Sequence, residues 1–85
     1  MKYVRFTGGL SIVGGFYEDY LAFEDDTPIA EIKKHSLNYA IENAKKYDHE
    51  ARKEMNITKE EYLALCISFS DWQIVSEEEF IKSLS

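Results

Sequence analysis

The chain has 85 residues, of which 45% are hydrophobic and 14% aromatic, and its formal net charge is −6 at pH 7. This composition is too apolar for a disordered chain and predicts a single packed domain over residues 1–85, with a small core. The acidic total argues against direct binding to nucleic acid, because phosphates attract cationic surfaces.

Cysteine content and hydropathy indicate the cellular compartment in which the chain is expected. The one cysteine, Cys66, has no partner for an intrachain disulfide and no thiolate cluster for a structural metal, so we expect a reducing cytoplasm and no metal. No apolar run is long enough for a signal peptide or a membrane span. We therefore expect a cytoplasmic protein without membrane contact.

The N-terminal third predicts two antiparallel strands. Residues 2–7 are rich in β-branched and aromatic side chains, and residues 16–24 repeat the signal with Tyr17, Leu21 and Phe23 on one side. Between them lies the segment 7–16, TGGLSIVGGF, which contains all four glycines. It is longer than a two-residue hairpin turn, so we expect a wide connection hinged by glycine.

A long amphipathic helix is predicted next. Thr27 is the expected cap and Pro28 the first helical residue, and an apolar stripe at helical spacing continues to about residue 46. Residues 48–56 predict a separate short helix. The stretch 58–70 is ambiguous, because Thr58 and Glu61 form a capping-box pattern while the following residues alternate with period two.

We interpret residues 63–75 as a strand or hairpin, after at most one helical turn, because the alternation covers four apolar positions and a β-rich segment follows. Ser76 and Glu79 form a second capping box and predict a short C-terminal helix. The expected fold class is α+β: a small antiparallel sheet of about three strands, covered on one face by a long amphipathic helix, with a short C-terminal helix.

The glycine segment does not match a phosphate loop. Gly9 and Gly14 have the right spacing, but Gly15 and Phe16 stand where a lysine and a hydroxyl are needed, and a strand follows instead of a helix. Two alternatives remain open for the apolar side chains between the glycines. They either pack onto the sheet or form an exposed patch for a partner; these side chains are Leu10, Ile12 and Val13.

No set of residues has the spacing of a catalytic site. His35 and His49 are expected to face solvent, and no serine or cysteine stands at a spacing that marks a triad. An alternative interpretation is a small ligand-binding or enzymatic domain that uses Asp25 and Asp26 with a histidine. We expect no enzymatic activity and no cofactor, and a third possibility is a structural or assembly subunit.

Acidic residues recur in small blocks along the chain, at 18–19, 24–26, 60–61 and 77–79. On one face, these blocks would imitate the phosphates of DNA and occupy the cationic groove of a nucleic-acid enzyme. Tyrosine and tryptophan are common interface anchors. The predicted partner-binding residues are therefore Leu10, Ile12, Tyr17, Asp19, Tyr20, Glu24, Asp25, Asp26 and Trp72.

Two segments, FEDDTPIAEI at 23–32 and DWQIVSEEEF at 71–80, resemble small acidic uncharacterised proteins of Gram-positive bacteria, their phages and mobile elements. The resemblance covers about a quarter of the chain and implies no active-site residues. It implies a phage or mobile-element setting. The predicted function is thus a protein-binding module that inhibits or modulates a host protein such as a defence nuclease, as anti-CRISPR proteins do, and a homo-oligomer remains open.

Overall fold

The computed structural model describes all residues, 1–85, and confirms the α+β class. Three antiparallel strands form one sheet in the order β2-β1-β3. The strands are β1 (Lys2–Gly8), β2 (Tyr17–Phe23) and β3 (Asp71–Val75), and the helices are α1 (Ile29–Met55), α2 (Lys59–Phe69) and α3 (Glu77–Ser83).

Side chains of the central strand β1 alternate between the two faces of the sheet. Val4 and Phe6 are fully buried beneath α1, in register with Leu21 and Asp19 of β2. The intervening side chains face the opposite side, where α3 packs with the Phe80 ring 4.7 Å from that of Tyr3. The alternation that predicted a strand therefore separates the α1 side from an outer face.

Helix α1 is longer than predicted. It runs without interruption through 27 residues, so the separate helix expected at 48–56 is wrong. The apolar stripe continues through the buried Ala51, and the helix ends where Asn56 adopts a left-handed φ of 53°. The expected cap is also displaced: Pro28 is the N-cap residue, and the Thr27 carbonyl instead accepts a hydrogen bond of 3.0 Å from Lys2 Nζ.

The strand predicted to begin at residue 63 is wrong as well, because residues 59–69 form α2. The Thr58–Glu61 capping box closes in both directions, with hydrogen bonds of 2.9 and 3.0 Å. Tyr62 and Cys66, spaced by one helical turn, are fully buried against α1. The strand begins only at Asp71. Ser76 caps α3 as predicted, because its hydroxyl accepts a hydrogen bond of 3.1 Å from the Glu79 amide, but Glu79 makes no return bond to Ser76, so the predicted capping box is half formed.

Two small cores result. One lies between the sheet and the first part of α1, and contains Val4, Phe6 and Ile32. The second core lies between α2 and the later part of α1, and we call these two helical segments the helical hairpin. The buried residues of this core are Val13, Ala40, Ala44, Ala51, Tyr62 and Cys66. The molecule measures 42 × 28 × 15 Å. No helix combines the length and apolarity that crossing a bilayer requires.

Candidate partner-binding surfaces

The glycine segment is a closed loop. Residues Ser11–Val13 form a single 3-10 turn, and the Gly15 amide donates to the Leu10 carbonyl at 3.0 Å. Gly9 has a φ of 79°, and a Cβ at this position would lie 2.0 Å from the Gly15 carbonyl oxygen. Glycine is therefore required at position 9 both for its backbone conformation and for the close approach of the two ends of the loop.

The three apolar side chains of this loop differ in how far they are buried. Val13 is buried in the core of the helical hairpin and Leu10 packs partly against it, whereas Ile12 is 66% exposed. The expectation that these side chains pack onto the sheet is wrong, because Val13 and Leu10 pack on the helical hairpin instead, and the expectation of an exposed partner patch stays a prediction for Ile12 alone. The loop is anchored on α1 and presents Ile12 to solvent.

Tyr17 and Asp19 lie on the side of β2 that faces α1. The Tyr39 hydroxyl of α1 donates a hydrogen bond to Asp19 Oδ2, and the rings of Tyr17 and Tyr39 stack with centroids 5.7 Å apart. Burial, together with the Asp19 carboxylate, raises the pKa of Tyr39 well above its ordinary value. Both predicted residues therefore help to attach the sheet to α1.

Tyr20 lies on the outer face and borders an open groove of about 570 Å³ between β2 and α3. Acidic and basic side chains share this groove. Its charged members come from three elements that are distant in sequence: Arg5, Glu18, Asp19, Glu79 and Lys82.

Acidic side chains from two other segments converge at the end of the sheet where β1 begins. Both neighbours of β1 are antiparallel to it, so the residues that follow β2 and those that follow β3 emerge together: Lys2 pairs with Phe23, and Tyr3 pairs with Val75. The Met1 amino group lies 2.9 Å from Asp25 Oδ1.

Three carboxylates from the two segments lie close enough to the Met1 amino group to change its pKa. The hydrogen bond with Asp25 raises the pKa of the Met1 amino group, and the carboxylates of Glu24 and Glu77 raise it further. In turn, the Met1 amino group lowers the pKa of Asp25. We call the acidic side chains of this end and of the groove the acidic surface; they are Glu18, Asp19, Glu24, Asp25, Glu77 and Glu79.

The net negative charge belongs to the sheet and its flanks. Residues 1–31 and 70–85 carry ten acidic against three basic side chains, whereas residues 32–69 carry six acidic against seven basic. The acidic blocks at 18–19, 24–26 and 77–79 thus occupy one part of the molecule, and the block at 60–61 lies apart on α2.

Trp72 is separated from the acidic residues. It lies on β3, at the opposite edge of the sheet from β2, and packs partly buried against the core beneath α1. Of the predicted residues, Glu24, Asp25 and Asp26 are exposed together on the β2–α1 turn. The sequence prediction did not include Glu77 and Glu79, although the Ser76–Glu79 pattern already placed them at the start of a helix.

The histidines differ from each other. His49 is exposed as expected, but His35 is half-buried, with its ring 5.2 Å from that of Phe23 and 6.4 Å from that of Phe6. The expectation that His35 faces solvent is wrong, because it lies on the side of α1 that packs on β2. No group of three or more histidine, cysteine or acidic side chains has the arrangement of a metal site.

A buried polar cluster was not anticipated. Four buried side-chain polar atoms have no hydrogen-bond partner that meets strict geometry, and three of them belong to side chains around Cys66: Tyr17 Oη, Asn43 Nδ2 and Tyr62 Oη; the fourth, Arg5 Nε, lies elsewhere. Burial raises the pKa of Cys66, whose thiol lies near Tyr62 and Asn43. The residues belong to three different elements, so no local pattern in the sequence marks the cluster.

Comparison with protein-family models, with curated proteins and with solved structures finds no match to this chain. The resemblance to small acidic phage proteins therefore stays a prediction. The surfaces described above are the basis for a functional proposal.

Proposed function

We propose that this chain is a non-enzymatic protein-binding module of the cytoplasm, encoded by a phage or mobile element, that inhibits or modulates a host protein by occupying its surface. The partner class is a protein with a cationic groove, such as a nucleic-acid enzyme. A host defence nuclease, as for anti-CRISPR proteins, is the most specific form of the proposal.

The observation that carries the proposal is the convergence of the acidic surface. Five carboxylates from β2, from the β2–α1 turn and from α3 gather around one end and the outer face of the sheet, and a sixth, Asp19, borders the groove from the α1 side of β2. Two basic side chains, Arg5 and Lys82, border the same groove, and Arg5 is engaged with Gln73. Asp25 is paired with the Met1 amino group, whereas the other five members of the acidic surface form no ion pair, so most of the acidic charge is available to a basic partner.

Such a surface favours the proposed mode of action on electrostatic grounds. Clustered charge of one sign raises the rate of encounter with a surface of opposite sign, and the effect weakens as salt screens it. A groove that binds DNA is lined with lysine and arginine because it neutralises phosphates. Carboxylates that take the place of those phosphates would compete with DNA for the same groove.

The test compares two variants with the same net charge. The first neutralises three members of the acidic surface: Glu18→Gln, Asp25→Asn and Glu77→Gln. The second neutralises three acids in the later part of α1: Asp48→Asn, Glu50→Gln and Glu54→Gln. Wild type and both variants are immobilised separately and exposed to the same lysate of a Gram-positive bacterium, and retained proteins are quantified by mass spectrometry.

We expect a DNA-binding protein that wild type and the α1 variant retain equally and that the acidic-surface variant retains at least tenfold less. With that protein purified, wild type should lower its apparent affinity for DNA, and the acidic-surface variant should not. Equal loss in both variants would mean that net charge alone governs binding. Equal retention in both, or binding without competition with DNA, would contradict the proposed mode of action.

A further inference from the structure

Strand β3 is an open edge of the sheet. It pairs with β1 on one side only, and none of the hydrogen bonds outside the sheet and helices involves the backbone of residues 71–75. The backbone groups that point away from β1 are therefore free to pair with another strand. An edge of this kind is a template for strand addition.

Apolar side chains accompany this open edge. Ile74 faces the α1 side of the sheet and is 55% exposed. Helix α1 places His35 and Tyr39 over β2, so Ile29 and Leu37 lie on its other flank, towards β3. Each of these two is 41% exposed, and Phe69, two residues before β3, is 54% exposed. We call these four side chains, with the half-buried Trp72, the β3-edge patch.

The molecule exposes more surface than its mass predicts. Its accessible surface is 5650 Å², whereas a typical monomer of 9.9 kDa has about 5,200 Å². Its radius of gyration is 14.1 Å, compared with about 12 Å for a compact domain of this length. The excess surface is about half of the roughly 800 Å² that each partner buries in a standard interface.

We propose that the β3 edge binds a second copy of this chain, by antiparallel pairing of the two β3 strands about a two-fold axis at Gln73. In this register, all five residues of each strand are paired. Trp72 faces Ile74 of the second copy, and these two residues remain on the α1 side of the sheet. Asp71 faces Val75 of the second copy on the outer face. The product is a continuous six-stranded sheet.

The strand sequence is complementary to itself in this register. The only charged residue of β3, Asp71, meets Val75 and not another carboxylate, while the exposed Ile74 meets Trp72. On the outer face, the Arg5 guanidinium donates to Gln73 Oε1, so the Gln73 Nε2 group is left to donate across the axis. An isologous interface requires this kind of self-complementarity.

Charge distinguishes the two edges of the sheet. The other edge, β2, carries Glu18 and Asp19 and leads into the acidic turn at 24–26. Pairing of two β2 strands would bring two acidic surfaces together, and like charges repel across an interface. Strand β3 carries one charged residue, Asp71, and the acids at 77–79 that follow it belong to α3, which packs back over the outer face towards β2. The β3 edge is therefore the edge that a second copy occupies.

This inference is independent of the proposed function. The acidic surface lies along β2, the β2–α1 turn and α3, and the β3-edge patch lies at the opposite edge of the sheet. Self-association is measured with the purified chain alone, without a host partner. Loss of the dimer would leave the capture experiment unaffected, and failure of that experiment would leave the dimer unaffected.

The first experiment measures molar mass by size-exclusion chromatography with light scattering. Wild type should have twice the 9.9 kDa of one chain. Ile74→Lys should have the mass of a monomer, because the lysine would be buried against Trp72 of the second copy. Ile81→Lys is the matched control, since Ile81 is 57% exposed on α3 and lies outside the patch; it should remain dimeric.

The second experiment tests the register without disrupting the fold. Residues that face each other in an antiparallel pair have Cα atoms about 4.5–5.5 Å apart, a distance that a disulfide bridges. Gln73→Cys should therefore form a covalent dimer under mild oxidation, whereas Tyr20→Cys, at the centre of β2, should not. Cys66 is fully buried and does not interfere.

The two experiments together decide the inference. A wild-type monomer at every concentration tested would overturn it, as would equal loss of the dimer in Ile74→Lys and Ile81→Lys. Cross-linking through Tyr20→Cys in preference to Gln73→Cys would assign the dimer to the other edge and would also overturn it.

Discussion

The closed glycine loop provides a prediction with an internal control, because two glycines share a backbone conformation and differ in their surroundings. Gly9 has a φ of 79° and Gly14 a φ of 75°. A Cβ on Gly14 would meet no atom within 4 Å, whereas a Cβ on Gly9 would lie 2.0 Å from the Gly15 carbonyl oxygen and 2.8 Å from Asn43 Nδ2. We therefore expect Gly14→Ala and Gly9→Ala to differ strongly in stability.

The expected losses of stability combine one free-energy cost that both variants have, the left-handed conformation, with a second that only Gly9→Ala has, the steric overlap. Both alanines must adopt the left-handed conformation, at about 1–2 kcal/mol, which the lower entropy of the unfolded alanine variant offsets by about 0.4–1 kcal/mol. Gly14→Ala should thus lose roughly 1 kcal/mol. Gly9→Ala must also separate the loop ends, at about 1–3 kcal/mol for the overlap and about 1 kcal/mol for the lost bond between Gly15 and Leu10.

The assay is urea denaturation followed by circular dichroism, with the midpoint and slope fitted for wild type and both variants. Gly9→Ala should lose roughly 3–5 kcal/mol, a large part of the stability expected for a domain of this size. Equal losses in the two variants, within about 0.5 kcal/mol, would refute the reasoning, because they would mean that the loop ends do not approach each other.

Three further predictions concern α2. Tyr62→Phe removes a buried hydroxyl whose one candidate partner is the Cys66 thiol, a weak acceptor, and should change stability by no more than about 1 kcal/mol; a larger loss in a thermal melt would show that the hydroxyl makes a stronger hydrogen bond. Cys66 is fully buried and burial raises its pKa, so a thiol reagent should label it only as fast as the domain opens, and labelling at the rate of a free thiol would contradict this. Thr58→Ala should cost about 1 kcal/mol at neutral pH. The pH-dependent part of the capping box is the Glu61 carboxylate, whose pKa is lowered first by the hydrogen bond from the Thr58 backbone amide, a bond that Thr58→Ala keeps. The stabilising effect of this contact is present above the ordinary glutamate pKa and is lost as pH falls through the lowered value. Chemical denaturation should therefore show a smaller effect of Glu61→Ala in acid than at neutral pH, and an unchanged effect would be evidence against the capping box.

The limits of prediction from sequence are clearest at α2. Leu63, Leu65, Ile67 and Phe69 alternate as in a strand, yet Ile67 and Phe69 are largely exposed and the buried residues are Tyr62 and Cys66. A short apolar segment fits both periods, and its contact with α1 decides between them. The capping box was the reliable local signal, because its two hydrogen bonds form only at the start of a helix.

The strands and α1 were predictable for the opposite reason. The alternation around Val4 and Phe6 and the helical stripe through Ile32 and Ala40 each extend over enough residues to exclude the other period. The end of α1 was not predictable, because Ala51 is buried only through the packing of α2 against the later part of α1.

The acidic surface depended on information that no local pattern contains. Its composition was visible in the sequence, but its assembly requires β3 to pair beside β1, which brings Glu77 to the same end of the sheet as Asp25. The same topology placed Trp72 at the other edge, and Leu10 and Ile12 lie in the glycine loop, so the predicted set of partner-binding residues divides among three parts of the molecule. Sheet order is set by tertiary packing, and one sequence does not reveal it.

Hydrogen–deuterium exchange of the chain, alone and in complex with the partner that the capture experiment identifies, locates the surface that the partner covers. We expect slower exchange on binding in residues 17–26 and 77–83, with no change in residues 44–55 of α1. Protection confined to residues 44–55, with 17–26 and 77–83 unaffected, would contradict this expectation.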